Sequence, residues 1–319
     1  MLRMIVCAAL LALSAVVYAQ GFPSRPLTIV VPFPPGGSTD LVTRLFSQKL
    51  SERIGQPVIV ENKPGGGGGV GAVVVKSAAP DGHTVLLGNV GTHAINIHLH
   101  GRLDYDPVKD YRPVTPLWSF DSFLVVPSAS PARTLADLIA YAKAKPGGLN
   151  FTSQGYGTAG HILGELLRSE TGAQLVHIPM KGAAPAVTEV VAARADLLFS
   201  SYITAGPFIR GGKLRILALA ASSRSTIFPE VPTIAELGVR DIEFDQWNGM
   251  FVPAKTSDAV VRRLNDEFIK AMRHPDVMQM VTSQAAEVIT STPEEFARRI
   301  EADSARYGNI VRKLGLKAD

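Results

Sequence analysis

The residues best placed to do chemistry lie in loops that offer backbone and hydroxyls but no cation. "VPFPPGGSTD", residues 31–40, leaves an apolar run through three prolines and two glycines, then reaches Ser38, Thr39 and Asp40. Gly36 and Gly37 can take positive φ and let a ligand approach the backbone. A helix beginning at Ser38–Asp40 exposes unpaired N–H groups and the positive end of its dipole, a seat for an anion that needs no charged side chain. The same residues also make an ordinary βα turn, with Ser38, Thr39 or Asp40 capping the helix. "SQGYGTAGH", residues 153–161, repeats the arrangement in the other half of the chain. There Gly155, Gly157 and Gly160, with Ser153 and Thr158, precede a helix. Two such loops could face each other across a cleft.

Three other patterns point to different chemistry. Gly66, Gly68 and Gly71 in "NKPGGGGGVGA" match the spacing of a dinucleotide-binding loop, but Asn89 and Val90 occupy the region where an acidic residue should meet a ribose. His93, His98 and His100 lack a convincingly spaced third ligand and partners behind them, so a surface loop is the better reading. Ser153, His161 and Asp196 occur in the order of a hydrolytic triad, but no G-x-S-x-G elbow is present.

The elements that position these loops alternate in type, the pattern of an α/β fold. Strands are predicted at 27–31, 57–61, 84–88, 149–152, 174–178, 196–200 and 213–221. Val42, Phe46 and Leu50 recur at helical spacing, and Gly55 and Pro57 end that helix. Further helices are predicted at 135–144, 161–168 and 184–193. Thr292, Pro293 and Glu295 form a helix start with a capping box, after which Phe296, Ile300, Tyr307, Ile310, Val311 and Leu314 share one face interrupted by Ser304.

Composition narrows the function further. Arg3 followed by the apolar run 5–17 and Val17-Tyr18-Ala19 reads as a secretory signal cleaved after Ala19, leaving 300 residues. No later stretch is apolar enough to span a bilayer. Cys7, the single cysteine, lies in that signal, so the mature chain has no disulfide, thiolate nucleophile or cysteine metal site. Too little apolar sequence precedes Cys7 for a lipid anchor. Three hundred residues favour two domains. The mature net charge of +3 is dispersed, and the Arg262-Arg263 pair reads as a solvated helix face, which argues against nucleic acid.

Nearly the whole mature chain resembles the substrate-binding receptors of tripartite tricarboxylate transporters, the Bug family. The resemblance is carried by the run from "RPLTIVVPFPPGGSTDLVTRLF" to "DGHTVLLGN", then by "GTHAIN", "LNFTSQGYGTAGHILGELL", "KGAAPAVTEVVAARADLLF", "FPEVPTIAELG" and "TPEEFARRIEADSARYGNIVRKLGLKAD". It implies an α/β, two-lobed periplasmic-binding-protein (Venus flytrap) architecture with a hinge. Lobe 1 would take residues 22–121 plus 246–319, and lobe 2 residues 122–245. It implies a periplasmic monomer, with no catalytic residue, cofactor or metal, that captures a small carboxylate (dicarboxylate, tricarboxylate, amino acid or aromatic acid) for inner-membrane transporter subunits.

By motif, the first grip is Phe33, Pro35, Gly36, Gly37, Ser38, Thr39 and Asp40, and the second is Ser153, Gln154, Tyr156, Gly157 and Thr158. His161, Lys181 and Asp196 match positions that line or support the cleft. Gln154 and Tyr156 are candidates for setting specificity. Two departures stand out: Met180 replaces a usual aromatic, and no proline follows Asn96. The competing classes are a secreted enzyme using Ser153 or His161 in the same cleft, and an orphan receptor or sensor without its own permease.

Overall fold

The computed structural model describes residues 22–240 and 242–317; the signal sequence with Cys7 and its cleavage site lies outside the described residues. The chain forms strands β1 (Leu27–Val31), β2 (Val58–Asn62), β3 (Thr84–Asn89), β4 (Tyr111–Phe120), β5 (Phe123–Pro127), β6 (Leu149–Ser153), β7 (Leu175–Pro179), β8 (Leu197–Ser200), β9 (Leu214–Leu219), β10 (Gln246–Pro253) and β11 (Ala286–Val288). The helices are α1 (Ser38–Ile54), α2 (Gly69–Lys76), α3 (Asn96–Leu99), α4 (Leu135–Ala144), α5 (Ala159–Thr171), α6 (Ala183–Val191), α7 (Tyr202–Arg210), α8 (Asp258–Met272), α9 (Pro275–Thr282) and α10 (Pro293–Leu314).

Two sheets result. One is ordered β11-β4-β10-β3-β1-β2, the other β7-β6-β8-β5-β9. Strands β1, β2 and β3 are mutually parallel, as are β6, β7 and β8, while β5 and β10 run antiparallel to their neighbours. The chain passes between sheets twice, after Phe120 and before Gln246, and these two residues are paired in the β4–β10 ladder. Both crossings therefore leave from one end of the same strand pair.

β4 was not predicted, because Pro113 and Pro116 interrupt it and proline cannot donate to a ladder. The β4–β10 register accommodates them. It shifts between Asn248 and Gly249 and between Met250 and Phe251, and Gly249 and Phe251 are the residues opposite Pro116 and Pro113. Bulges absorb what a regular strand could not.

The predicted helix cap at Thr292 forms as a full capping box with Glu295. Phe296 packs edge-on to Trp247 at 5.1 Å and tilted against Phe251 at 5.2 Å. Gly249 leaves the space that Phe296 fills. Phe296 is fully buried, and removing its ring should cost about 3–5 kcal/mol. Ser304, the polar break in the apolar stripe, bonds His98 Nε2 at 2.9 Å and ties α10 to α3. On the other face of this sheet, Phe46 of α1 meets Phe268 of α8 edge-on at 5.7 Å.

Candidate binding cleft

The parallel strands of both sheets aim their C-terminal ends at one cavity of about 60 Å³, room for a small molecule. The β1–α1 loop contributes Phe33, Pro34, Gly37, Ser38 and Thr39. The ends of β3 and of the glycine run add Asn89, Val90, Gly91 and Gly67. From the second sheet come Gln154, Thr158, Ala159, Ala183 and Ser201, while Phe120 and Gln246 close the cavity on the side of the crossings. None of these lining residues is charged at neutral pH.

Of the residues expected in the first grip, Phe33, Gly37, Ser38 and Thr39 reach the cavity. Pro35 and Gly36 form the exposed outer turn, with Gly36 at φ +86°. Asp40 turns away and holds the loop in shape. Its carboxylate accepts from Gly36 N at 3.1 Å, Asn62 Nδ2 at 3.0 Å and Arg44 Nε at 3.1 Å. Burial alone would raise its pKa, but the hydrogen bonds from Arg44, Asn62 and Gly36 outweigh it and hold the group below the usual carboxylate value. Asn62 also donates to Phe33 O at 3.0 Å, which pins the loop to β2.

In the second grip, Gln154 and Thr158 line the cavity, whereas Ser153, Tyr156, Gly157 and His161 stand behind or above it. Ser153 is fully buried, accepts from Gly155 N at 3.1 Å and meets His177 Nε2 at 2.7 Å. Its oxygen also lies 3.1 Å from Gly155 O, which can only accept. Gly155 O also accepts from Thr158 Oγ1 at 2.7 Å, so the one hydroxyl proton of Ser153 can go to Gly155 O or to an unprotonated His177 Nε2. His177 Nδ1 is buried without a partner, so no carboxylate orients this ring as a base for the serine. His161 instead stacks on His177 at 4.3 Å and accepts from Gly157 N at 3.3 Å. Half-exposed Tyr156 lies edge-on over both rings. Burial lowers the His161 pKa to about 4 and, with His161 beside it, that of His177 to about 3, so both rings are neutral as these bonds require.

Two expected site residues stand elsewhere. Lys181 is exposed and outside the cavity lining. Asp196 precedes β8 and so sits at the opposite end of the sheet, roughly 13 Å along the strand from the cavity. There it pairs with Lys145 at 3.1 Å and accepts from Asn150 N at 2.7 Å. Ser153, His161 and Asp196 thus make no triad. His93, considered as a metal ligand, is stacked on Phe251 at 3.6 Å, and His98 is engaged by Ser304.

Helix capping distinguishes this cleft from the rest of the molecule. Among helices of eight or more described residues, α4, α8, α9 and α10 have side-chain caps from Thr134, Ser257, His274 and Thr292. α1, α2, α5, α6 and α7 have none. Each of these five begins within two residues of a lining residue, namely Gly37, Gly67, Thr158, Ala183 and Ser201. Even Thr158, a good capping residue, turns its hydroxyl to donate to Gly155 O at 2.7 Å and accepts from no N–H of its own helix. Five helix starts with N–H groups left free by side chains converge on an uncharged cavity, an arrangement that accommodates negative charge.

Asn89, Ser201 and Gln246 were missed as site residues. Asn89 ends β3 and Ser201 follows β8, both at the cleft end where α/β sheets place ligands, so strand order would have found them. Gln246 has no local signal and is placed by the crossing, where its side chain donates to Ser122 Oγ.

The sequence profile of the tripartite tricarboxylate transporter family receptor matches residues 42–316. The chain belongs to this receptor family. A UPF0065 protein from the tcbD-tcbE intergenic region of Pseudomonas sp. strain P51 is 37% identical over 301 residues, covering 94% of this chain and 89% of that protein. A Rhodopseudomonas palustris protein solved with adipate matches at a TM-score of 0.89 with 31% identity, covering 93% of this chain and 99% of that one. MatC from the same organism, solved with bound malate, matches at 0.86 with 32% identity, covering 91% and 100%. The receptor family is built on two lobes, and the two sheets here are those of a two-lobed periplasmic binding protein.

Proposed function

We propose that this receptor captures a small organic carboxylate between its lobes in the periplasm, as a monomer without catalysis, and delivers it to inner-membrane transporter subunits. The observation that carries the reading is the convergence of five uncapped helix starts on a cavity with no charged side chain. The carboxylates in the two related structures, adipate and malate, support the ligand class. In this reading Gly37, Ser38 and Thr39 grip a carboxylate from one lobe and Thr158 from the other, while Asp40, Ser153, Gly157 and His161 shape those loops. The lobes are residues 22–121 with 246–319 and residues 122–245, and the hinge lies at the two crossings. The enzyme reading lacks an activated nucleophile, since no carboxylate orients His177 behind Ser153 and Asp196 is bound to Lys145.

A thermal-shift screen over aliphatic, aromatic and amino acids tests this. A cognate acid at a hundred times its Kd should stabilise the protein by about 2.7 kcal/mol. Calorimetry should then show saturable binding with the ligand recovered unchanged. Failure of every carboxylate to bind, or its conversion to product, overturns the proposal. The same acid should shrink the radius of gyration in small-angle scattering, because lobes joined by crossing strands close as hinged bodies. An unchanged profile at saturation counts against hinge closure.

Salt offers a separate check. Binding here rests on backbone dipoles inside a closed cavity, which ions screen little. The Kd should change less than about twofold between low and moderate salt. A steep loss would mean that a basic side chain such as Lys181 reaches the ligand.

A further inference from the structure

The five-glycine run was set aside as a nucleotide site and is only marginally part of the cavity, yet it touches the opposite lobe. Gly67, at φ +59°, faces Tyr156 O across the gap; a Cβ there would lie 3.0 Å from that oxygen. Beside it, Asn96 is fully buried and its Nδ2 donates to Gly67 O at 3.2 Å and Tyr105 OH at 3.3 Å. Asn96 Oδ1 is buried without a donor, and it is the atom that a Cβ on Gly157 would overlap. Gly91 completes the contact: its Cβ position lies 3.2 Å from Gly157 O.

Two seams therefore flank the cavity. One joins the grip loops through Gly37 and Ala183, and Pro34 and Gly182. The other joins Gly67, Gly91 and Asn96 to Tyr156 and Gly157. A bare backbone lets two loops meet this closely only where no side chain intervenes. A buried acceptor without a donor is costly unless another state of the protein supplies one. Gly157 N reaches His161 at 3.3 Å and Thr158 N reaches Gly155 O at 3.4 Å, both long bonds that a small shift of this loop can exchange.

We propose that Asn96 and the glycine run form a latch outside the carboxylate grip, in which Asn96 positions the second loop and Gly67 admits it, so that this seam sets how far the lobes close. The proposal rests on the two-lobe receptor reading but not on the identity of the ligand. Asn96 is a positioning residue, acting on the ligand through Gly157 and Thr158.

The test measures lobe separation directly. Cysteines replacing Val108, in the turn before β4, and Val176, on β7 of the other sheet, are both exposed and carry spin labels in the mature chain, where they are the only thiols. Ligand-free protein should show a short-distance population. Gly67→Ala and Asn96→Ala should each reduce that population at least fivefold. Gly66→Ala is the matched control: its φ of +55° imposes the same backbone strain, but a Cβ there meets nothing within 4 Å. It should keep the short-distance population while losing as much thermal stability as Gly67→Ala. Affinity for malate or adipate, if either binds, should fall in proportion to the closed population. The latch is overturned if the free wild type has no short-distance state, if Asn96→Ala and Gly67→Ala keep it, or if Gly66→Ala loses it equally. Because the free protein is measured, failure of the latch is distinguishable from failure of the carboxylate reading, in which no acid binds the wild type.

Discussion

Replacing Gly157 by valine should weaken carboxylate binding about a hundredfold, and replacing Gly37 by valine about tenfold. The two differ because their backbones differ. Gly157 sits at φ +73°, where an L-residue is strained, and its Cβ would overlap Asn96 Oδ1 and reach Leu99 at 3.1 Å. Valine there both distorts the loop carrying Thr158 and forces the lobes apart. Gly37 has an ordinary φ of −82°, so its substitution carries no backbone strain. A Cβ at Gly37 would stand 3.6 Å from Ala183 of the other lobe, and the two methyl groups of valine would then enter the cavity or block closure. A tenfold loss is about 1.4 kcal/mol. Gly37→Val should leave the melting temperature nearly intact, while Gly157→Val should lower it somewhat. Gly101→Val, at an exposed site with open space around it, is the control and should bind like wild type. If both cleft variants are folded and bind normally by calorimetry, the carboxylate is held elsewhere.

The second large effect is loss of stability in mild acid. His93 and His161 are buried and His177 is half-buried, and burial lowers their pKa values to about 3, 4 and 3. Burial shifts His98 and His100 the same way. Above the unfolded value of about 6.5 these rings are neutral whether or not the chain is folded, and they contribute no pH dependence. As pH falls below 6.5, the unfolded chain takes up protons that the folded protein refuses, so stability falls through the window from 6.5 down to about 3. Each histidine can contribute at most ~1.4 kcal/mol per pH unit.

Two carboxyls work in the opposite sense. Burial, with Asp245 and Glu287 nearby, raises the Asp121 carboxyl to about 6, so it regains stability as pH drops through that value. Burial raises the Asp303 carboxyl too. Five histidines outweigh two carboxyls, and the net slope should be destabilising. Urea midpoints should be flat from pH 8 to 7 and fall steeply below 6. His161→Gln combined with His177→Gln should reduce the slope between pH 6 and 4.5 by roughly half or more. The carboxylates with lowered pKa, such as Asp40, lose their contribution only at lower pH. An identical slope in the double variant would show that the acid sensitivity arises elsewhere.

The sequence by itself determined most of the parallel strands, several helices and the chemical character of the loops, but not β4, β5, β10 or β11. Periodic apolar residues, glycine stops and the Thr292–Glu295 box depend on neighbours within one turn, so α1, α4 and α10 were legible without the fold. The two glycine-rich loops without cations likewise pointed to an anion held by backbone, and the motif resemblance named the receptor family. Only the tertiary structure decided which residues of those loops face the cavity. Asp40 and Ser38 are two apart in one helical turn, yet one is turned to Asn62 and Arg44 and the other to the cavity. Asp196 looked like a cleft residue by its neighbours in the motif, but strand direction puts the start of β8 at the far end of its sheet. Asn89, Ser201 and Gln246 come from segments more than forty residues apart in the chain and meet only because both sheets end at one gap. That Thr134 caps its helix while Thr158 leaves its own open was equally illegible, because the loop around each threonine decides which way its hydroxyl is turned.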